Sequence, residues 1–231
     1  MQIGALGDIH GEFETVQAIM TRHADVPLWV SVGDVASNEG EYFEPIAPLY
    51  FIKGNNEDFD VLARAMEGHP PAPALHYMPN GGPHLVGPWR VAALGGTFAP
   101  SWYNTPAASL PPSKGRKASA ASLKLGKSRD DKRRHFVRDE VIACKQLTKI
   151  DVLLTHEAPR PFYPAGRRID AGKTVLNEVL TALRPRLHLF GHHHEFTDSI
   201  RQGVRSIGLD VVTTSYLLIE ATTLRCERLD T

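Results

Sequence analysis

Apolar residues along this chain come in short runs, and each run stops at a glycine or a histidine. Ile3, Ala5 and Leu6 stop at Gly7, Leu28–Val32 at Gly33, Leu49–Lys53 at Gly54, and Trp89–Leu94 at Gly95. Asp151–Thr155 stops at His156 and Leu187–Phe190 at Gly191. Runs of this length bounded by turn residues predict buried strands. Between them the period changes. Phe13, Val16, Ile19 and Met20 recur at helical spacing, so Glu12–His23 is expected to lay one face on a sheet. Residues 57–67, Arg138–Lys149 and 172–183 are expected to be helical, and a short helix is expected to end at Pro45. Pro70–Pro88, rich in proline and glycine, should be loops with short strands. Four short runs in the tail (Ser199–Arg201, Val204–Ile207, Ser215–Glu220, Arg225–Arg228) suit an antiparallel second sheet.

The stretch 97–136 interrupts this rhythm. It lacks apolar periodicity, and Pro111–His135 carries nine Lys or Arg against two Asp. It reads as a basic insertion or lid, partly helical near its end, on a single domain spanning 1–231. Composition adds little beyond this. Acidic and basic residues balance at 26 each, so net charge selects no partner. Two cysteines far apart point to a reducing compartment rather than a disulfide framework. No apolar run approaches the ~18 residues a membrane span needs, and a strand begins at residue 2, leaving no room for a leader. A cytoplasmic protein is expected.

The polar residues just past each run matter more. The first strand ends in Asp8 and His10; residues i and i+2 of an extended segment point to one side, so the two can converge. Later strand ends offer Asp34, Asn55, His156, and then His192 and His194. All are oxygen or imidazole donors and none is a thiolate, which favours manganese, iron or zinc. Seven ligands exceed the needs of one ion. They suit two ions about 3.5–4 Å apart that share a carboxylate, as in two-metal hydrolytic sites. An Asp after a strand is commonly a helix cap, and Asn55-Asn56 alone reads as a turn. The set gains its weight from occurring together, in order, at strand ends.

The series Asp8-x-His10, Gly33-Asp34, Gly54-Asn55-x-Glu57, His156 and Gly191-His192-x-His194 resembles the calcineurin-like metallophosphoesterase superfamily over nearly the whole chain. That resemblance implies an α/β (α+β) fold, a four-layer α-β-β-α sandwich of two packed mixed sheets. It also implies a ligand scheme: Asp8, His10 and His194 on one ion, Asn55, His156 and His192 on the other, and Asp34 between them. The opening Gly7-Asp8-Ile9-His10-Gly11 is similar to the serine/threonine phosphatases, but their next motif, GDxxDRG, is absent: Gly33-Asp34 runs into Val35-Ala36-Ser37. Leu94-Gly95-Gly96-Thr97 and Leu153–Pro159 are more similar to the small phosphodiesterase branch and, further off, to RNA lariat-debranching enzymes. One position departs: where the family has histidine after Gly-Asn, this chain has Asn56. An amide can donate to a phosphoryl oxygen but is no general acid near neutral pH.

The expected activity is hydrolysis of a phosphate ester, with a phosphodiester of nucleotide or nucleic-acid type preferred and two divalent ions as cofactor, manganese first. Asn55 and Asn56 would orient the phosphoryl group. His193 either faces the substrate or packs, and Glu57 and Glu195 are expected to cap helices or support the ligands. A phosphomonoesterase or protein phosphatase is the alternative within enzymes, and a non-catalytic binding scaffold the alternative outside them.

Overall fold

The computed structural model describes residues 1–112 and 130–231. Twelve strands among these form two six-stranded mixed sheets, flanked by four helices. The first sheet has the order β12 (Cys226–Asp230), β11 (Ser215–Glu220), β1 (Gln2–Leu6), β2 (Trp29–Ser31), β3 (Leu49–Phe51), β4 (Leu75–Tyr77). The second runs β5 (Gly81–Val86), β6 (Trp89–Leu94), β7 (Val152–Thr155), β8 (Leu187–Phe190), β10 (Val204–Gly208), β9 (Thr197–Arg201). Helices α1 (Phe13–Arg22) and α2 (Phe59–Met66) accompany the first sheet, α3 (Arg138–Lys145) and α4 (Thr174–Leu183) the second.

Side-chain alternation explains the layering. On β7, Val152 and Leu154 enter the core between the sheets while Leu153 joins the α3–α4 layer. On β6, Val91 and Ala93 point inward and Ala92 and Leu94 outward. Both faces of these strands are buried over Val91–Leu94 and Val152–Leu154, so apolar residues run unbroken there. The first sheet repeats the scheme: Ile3, Ala5, Val30 and Val32 face its partner, while Trp29, Leu49 and Phe51 pack under α1 and α2. Three apolar layers separate four layers of structure, the sandwich expected from the sequence. Leu189 is fully buried between the sheets. Leu189→Ala should therefore cost about 2–5 kcal/mol by urea denaturation. Leu85→Ala, at a side chain 71% exposed, should stay within about 0.5 kcal/mol of the parent.

Two expectations are corrected. The segment 41–48, around Pro45, is irregular rather than helical, held where Gln17 donates to the Glu44 carbonyl and accepts from Ile46 N. The tail does not make its own antiparallel sheet. Strands β9 and β10 extend the second sheet, β10 parallel to β8, whereas β11 crosses back to pair antiparallel with β1 (Gln2 opposite Glu220). The N-terminal strand would otherwise expose an edge.

Of the basic stretch, Lys114, Arg116, Lys117, Lys124, Lys127 and Arg129 lie outside the described residues, as does the middle of the expected lid, residues 113–129. Its end is described. Lys132–Arg134 form a 3-10 turn, Arg133 pairs with Asp131 (2.6 Å) and Asp60 (2.8 Å), and Thr97 bridges to His135. Buried Lys53, at the end of β3, donates to the carbonyls of Arg133 and His135, each at 3.0 Å. Among the described residues no helix is long and apolar enough to cross a membrane.

Candidate metal centre

Strands β1, β2 and β3 run parallel in one sheet, and β6, β7 and β8 in the other. Parallel strands present their carboxyl ends along one edge, where ligands bind in open α/β sheets. All the singled-out donors follow those ends. Ligand atoms of Asp8, His10 and His194 lie within 4.8 Å of one another, and so do those of Asp34, His156 and His192. Asp34 joins the two groups: its Oδ2 is 3.6 Å from His10 Nε2 and 3.6 Å from His156 Nε2. Asn55 Oδ1 stands 3.3 Å from His156 Nε2.

The backbone around these side chains is shaped to bring them inward. His10, Asp34, His192 and His194 have φ of 49°, 51°, 69° and 52°, in the left-handed region that non-glycine residues avoid. Among the described residues four other non-glycine positions share it, and they sit in turns or at a helix end: Lys149, Arg184, Gln202 and Leu224. Glycines clear space for the carboxylates. A Cβ on Gly54 would lie 1.9 Å from Asp34 Oδ1, and one on Gly191 2.3 Å from Asp8 Oδ1.

Hydrogen bonds then fix the rings and carboxylates. His156 Nδ1 lies 2.8 Å from the Val32 carbonyl, which holds the proton on that nitrogen and leaves the Nε2 lone pair, on the side of Asp34, free to ligate a metal. Asp8 accepts from His192 N at 3.0 and 3.1 Å and meets His194 Nε2 at 3.0 Å. Asn56 N donates to Asp34 Oδ1 at 2.6 Å. Burial pushes the Asp8 carboxyl up, but the His194 hydrogen bond, the charge of His156 and the His192 amide outweigh it and hold it at about 2. Burial lowers His192 to about 2, keeping it neutral and a competent ligand. For His156 burial pulls down, but Asp34, Asp8 and the Val32 carbonyl raise it overall; the bond to Asp8 raises His194.

The remaining singled-out residues have clear surroundings. The Asn56 amide donates to the Ala36 carbonyl at 3.2 Å. His193 stacks on Phe162, with ring centroids 4.6 Å apart at 26°. Glu57 caps no helix; Asp58 does that for α2. Instead buried Glu57 accepts from Val35 N, Ala36 N, Gly54 N and Tyr42 Oη, tying the loops after β2 and β3 together. Burial and the Asp34 charge push its pKa up to about 7 against those donors. Glu195 accepts from Ala165 N at 2.7 Å. Sequence reading passed over Tyr42, Lys53 and the Lys173–Glu157 pair (3.3 Å), none of which carries a periodic or spacing signal.

Every donor is oxygen or nitrogen, both triads are compact, and one carboxylate oxygen lies between them. The residues fit a pair of hard or borderline divalent ions. The profile of the calcineurin-like phosphoesterases matches residues 1–196. The chain belongs to that family. Among curated proteins, this calcineurin-like phosphoesterase is 28% identical over 211 residues to the lariat debranching enzyme of Schizosaccharomyces pombe. The alignment covers 82% of the chain but only 42% of that enzyme. The protein TT1561 of Thermus thermophilus superposes with a TM-score of 0.63 at 14% identity, covering 99% and 98% of the two chains. A structure described as a novel archaeal phosphodiesterase does so with a TM-score of 0.52 at 11% identity, over the full length of both. At such identities the two superpositions speak to fold alone, and the fold is the metallophosphoesterase sandwich. The chain thus joins the family's fold to two compact groups of metal-ligand type at the sheet edge.

Proposed function

We propose that this phosphoesterase is a two-metal phosphodiesterase acting on esters of nucleotide or nucleic-acid type, in the cytoplasm. The carrying observation is Asp34 Oδ2, equidistant from a nitrogen of each triad. Asp8, His10 and His194 would hold one ion and Asn55, His156 and His192 the other, with Asp34 shared and manganese the first choice. Bound there, two ions supply Lewis acidity toward phosphoryl oxygens and activate a water as nucleophile at neutral pH. The chain's own part is positioning. Asn55 and Asn56 lie beside the second triad, where an amide N–H can orient a phosphoryl oxygen.

Proton delivery separates diesters from unactivated monoesters. Asn56 stands where the family's histidine would serve, and its amide is engaged with the Ala36 carbonyl. A leaving group must then depart without a proton from this position, which favours esters whose alcohol is already a good leaving group. The name of one similar protein, a lariat debranching enzyme, supports a diester substrate.

The test begins with chelator-stripped protein, reloaded separately with manganese, iron or zinc. Elemental analysis should approach ~2 ions per chain. Turnover of bis(p-nitrophenyl) phosphate should appear only after reloading and exceed that of p-nitrophenyl phosphate on the order of tenfold, a barrier difference of about 1.4 kcal/mol. Stripped protein that works as well as reloaded protein, or a monoester turned over best, would overturn the reading.

A further inference from the structure

The segment between the Pro159 corner and α4 is built as a closed loop on the rim of the metal centre. Pro159 bridges to Lys173, and Asp170 gathers the interior: its Oδ1 accepts from Phe162 N (2.8 Å) and Gly172 N (2.9 Å), its Oδ2 from Arg160 Nε (2.6 Å). Asn177 of α4 grips the Arg160 backbone through both its amide atoms, at 2.8 and 2.7 Å. Ala171 N reaches the Phe162 carbonyl at 2.7 Å. Compact loops with clasped ends, packed by their own side chains, commonly carry function.

Two further ties aim this loop at the site. Buried Phe162 stacks on His193, between the ligand candidates His192 and His194, and meets Phe190 edge-on. Glu195, directly after the histidines, accepts from Ala165 N at 2.7 Å. The tip turns at Gly166 (φ 72°), with Arg167 N donating to the Pro164 carbonyl at 2.9 Å. What the tip displays is unusual for an exposed turn. Tyr163 is 56% and Ile169 81% exposed, and both flank Arg167 and Arg168. Among the described residues neither arginine has an ion-pair partner, whereas Arg160 at the loop base is paired with Asp170. A clasped base thus presents, on the loop that packs against His193 and Glu195, an exposed aromatic ring and two guanidinium groups without ion-pair partners among the described residues.

We propose that this loop, Pro159–Gly172, is a binding rim for single-stranded nucleic acid, with Arg167 and Arg168 taking backbone phosphates next to the scissile one and Tyr163 stacking on an unpaired base. The proposal rests on the phosphodiesterase reading above and names the substrate class within it. Guanidinium groups match phosphate oxygens bidentately, and base–aromatic stacking needs a base free of a duplex. A diester with a single phosphate and no base is too small to engage the rim.

The experiment separates the two readings by measuring binding and turnover independently on full-length, metal-loaded protein. Binding of a fluorescein-labelled, phosphorothioate-linked hexathymidylate is followed by anisotropy across a salt series, and turnover by bis(p-nitrophenyl) phosphate. The Arg167→Ala/Arg168→Ala variant should lose roughly 1.4 from the slope of log Kd against log salt, since each phosphate contact to a single strand contributes about 0.7. Tyr163→Ala should weaken binding on the order of tenfold, and Tyr163→Phe should restore it, because stacking needs the ring and not the hydroxyl. Turnover of the small diester should be unchanged in all three. Parental slope and affinity in the alanine variants, or no binding by the parent, would overturn the rim while leaving the hydrolytic reading intact. Shifted slopes in a protein that does not hydrolyse the small diester would instead uphold the rim and remove the phosphodiesterase reading.

Discussion

Asp34→Asn is expected to lower kcat/KM on a chromogenic diester on the order of a thousandfold, the rate equivalent of about 4 kcal/mol of lost charge stabilisation. The substitution is nearly isosteric, and an amide oxygen can still accept from Asn56 N as Asp34 Oδ1 does now. With the oxygen kept there, the position of Oδ2, an anionic acceptor 3.6 Å from both His10 and His156, becomes a neutral NH2 donor that cannot ligate a metal. The fold should survive, with far-UV circular dichroism unaltered, while metal bound per chain falls. A variant with full activity would remove Asp34 from the shared position and with it the two-metal scheme.

Gly54→Ala should cost on the order of a hundredfold, although it deletes no ligand. The added methyl would stand 1.9 Å from Asp34 Oδ1, 2.3 Å from Asp34 N and 2.6 Å from Asp34 Cγ. Ordinary contact needs well over 3 Å, so Asp34 must move by about 1 Å or more, a displacement that alone can cost about 10²-fold. Glu57 raises the penalty by clamping both loops, so Gly54 cannot retreat without breaking its bond to Oε1. The measurement is kcat at saturating metal, beside a thermal melt that establishes folded protein. Parental kcat in folded Gly54→Ala would mean that the carboxylate need not stay where the structure puts it.

Much of this centre was legible in the chain alone because the fold makes it so. Strands buried on both faces are largely apolar until they emerge, so the donors that follow Leu6, Ser31, Phe51, Thr155 and Phe190 mark the carboxyl edge of one sheet or the other. The family resemblance, carried by those same residues, agrees with the family profile over residues 1–196. The destination of β11 was not legible, since its pairing with β1 spans most of the chain and leaves no local trace. The helix expected before Pro45 failed for a related reason: Phe43 stacks on Phe13 of α1 at 4.6 Å, a tertiary contact that local spacing cannot show. Supporting groups were invisible too. Tyr42 and Lys53 sit in sequence like any loop tyrosine or strand-end lysine, and only their partners in space, Glu57 and the Arg133 and His135 carbonyls, give them a role.

The left-handed backbone at His10, Asp34, His192 and His194 bears on how stable the chain can be. Each such residue costs roughly 1–2 kcal/mol relative to the ordinary helical basin, and glycine would relieve most of it. Native proteins hold only about 5–15 kcal/mol in reserve, so four of them together weigh heavily on a small sandwich. Glycine at any one of the four would give a tougher fold and remove a candidate donor in the same step, so at these positions stability and metal binding pull in opposite directions.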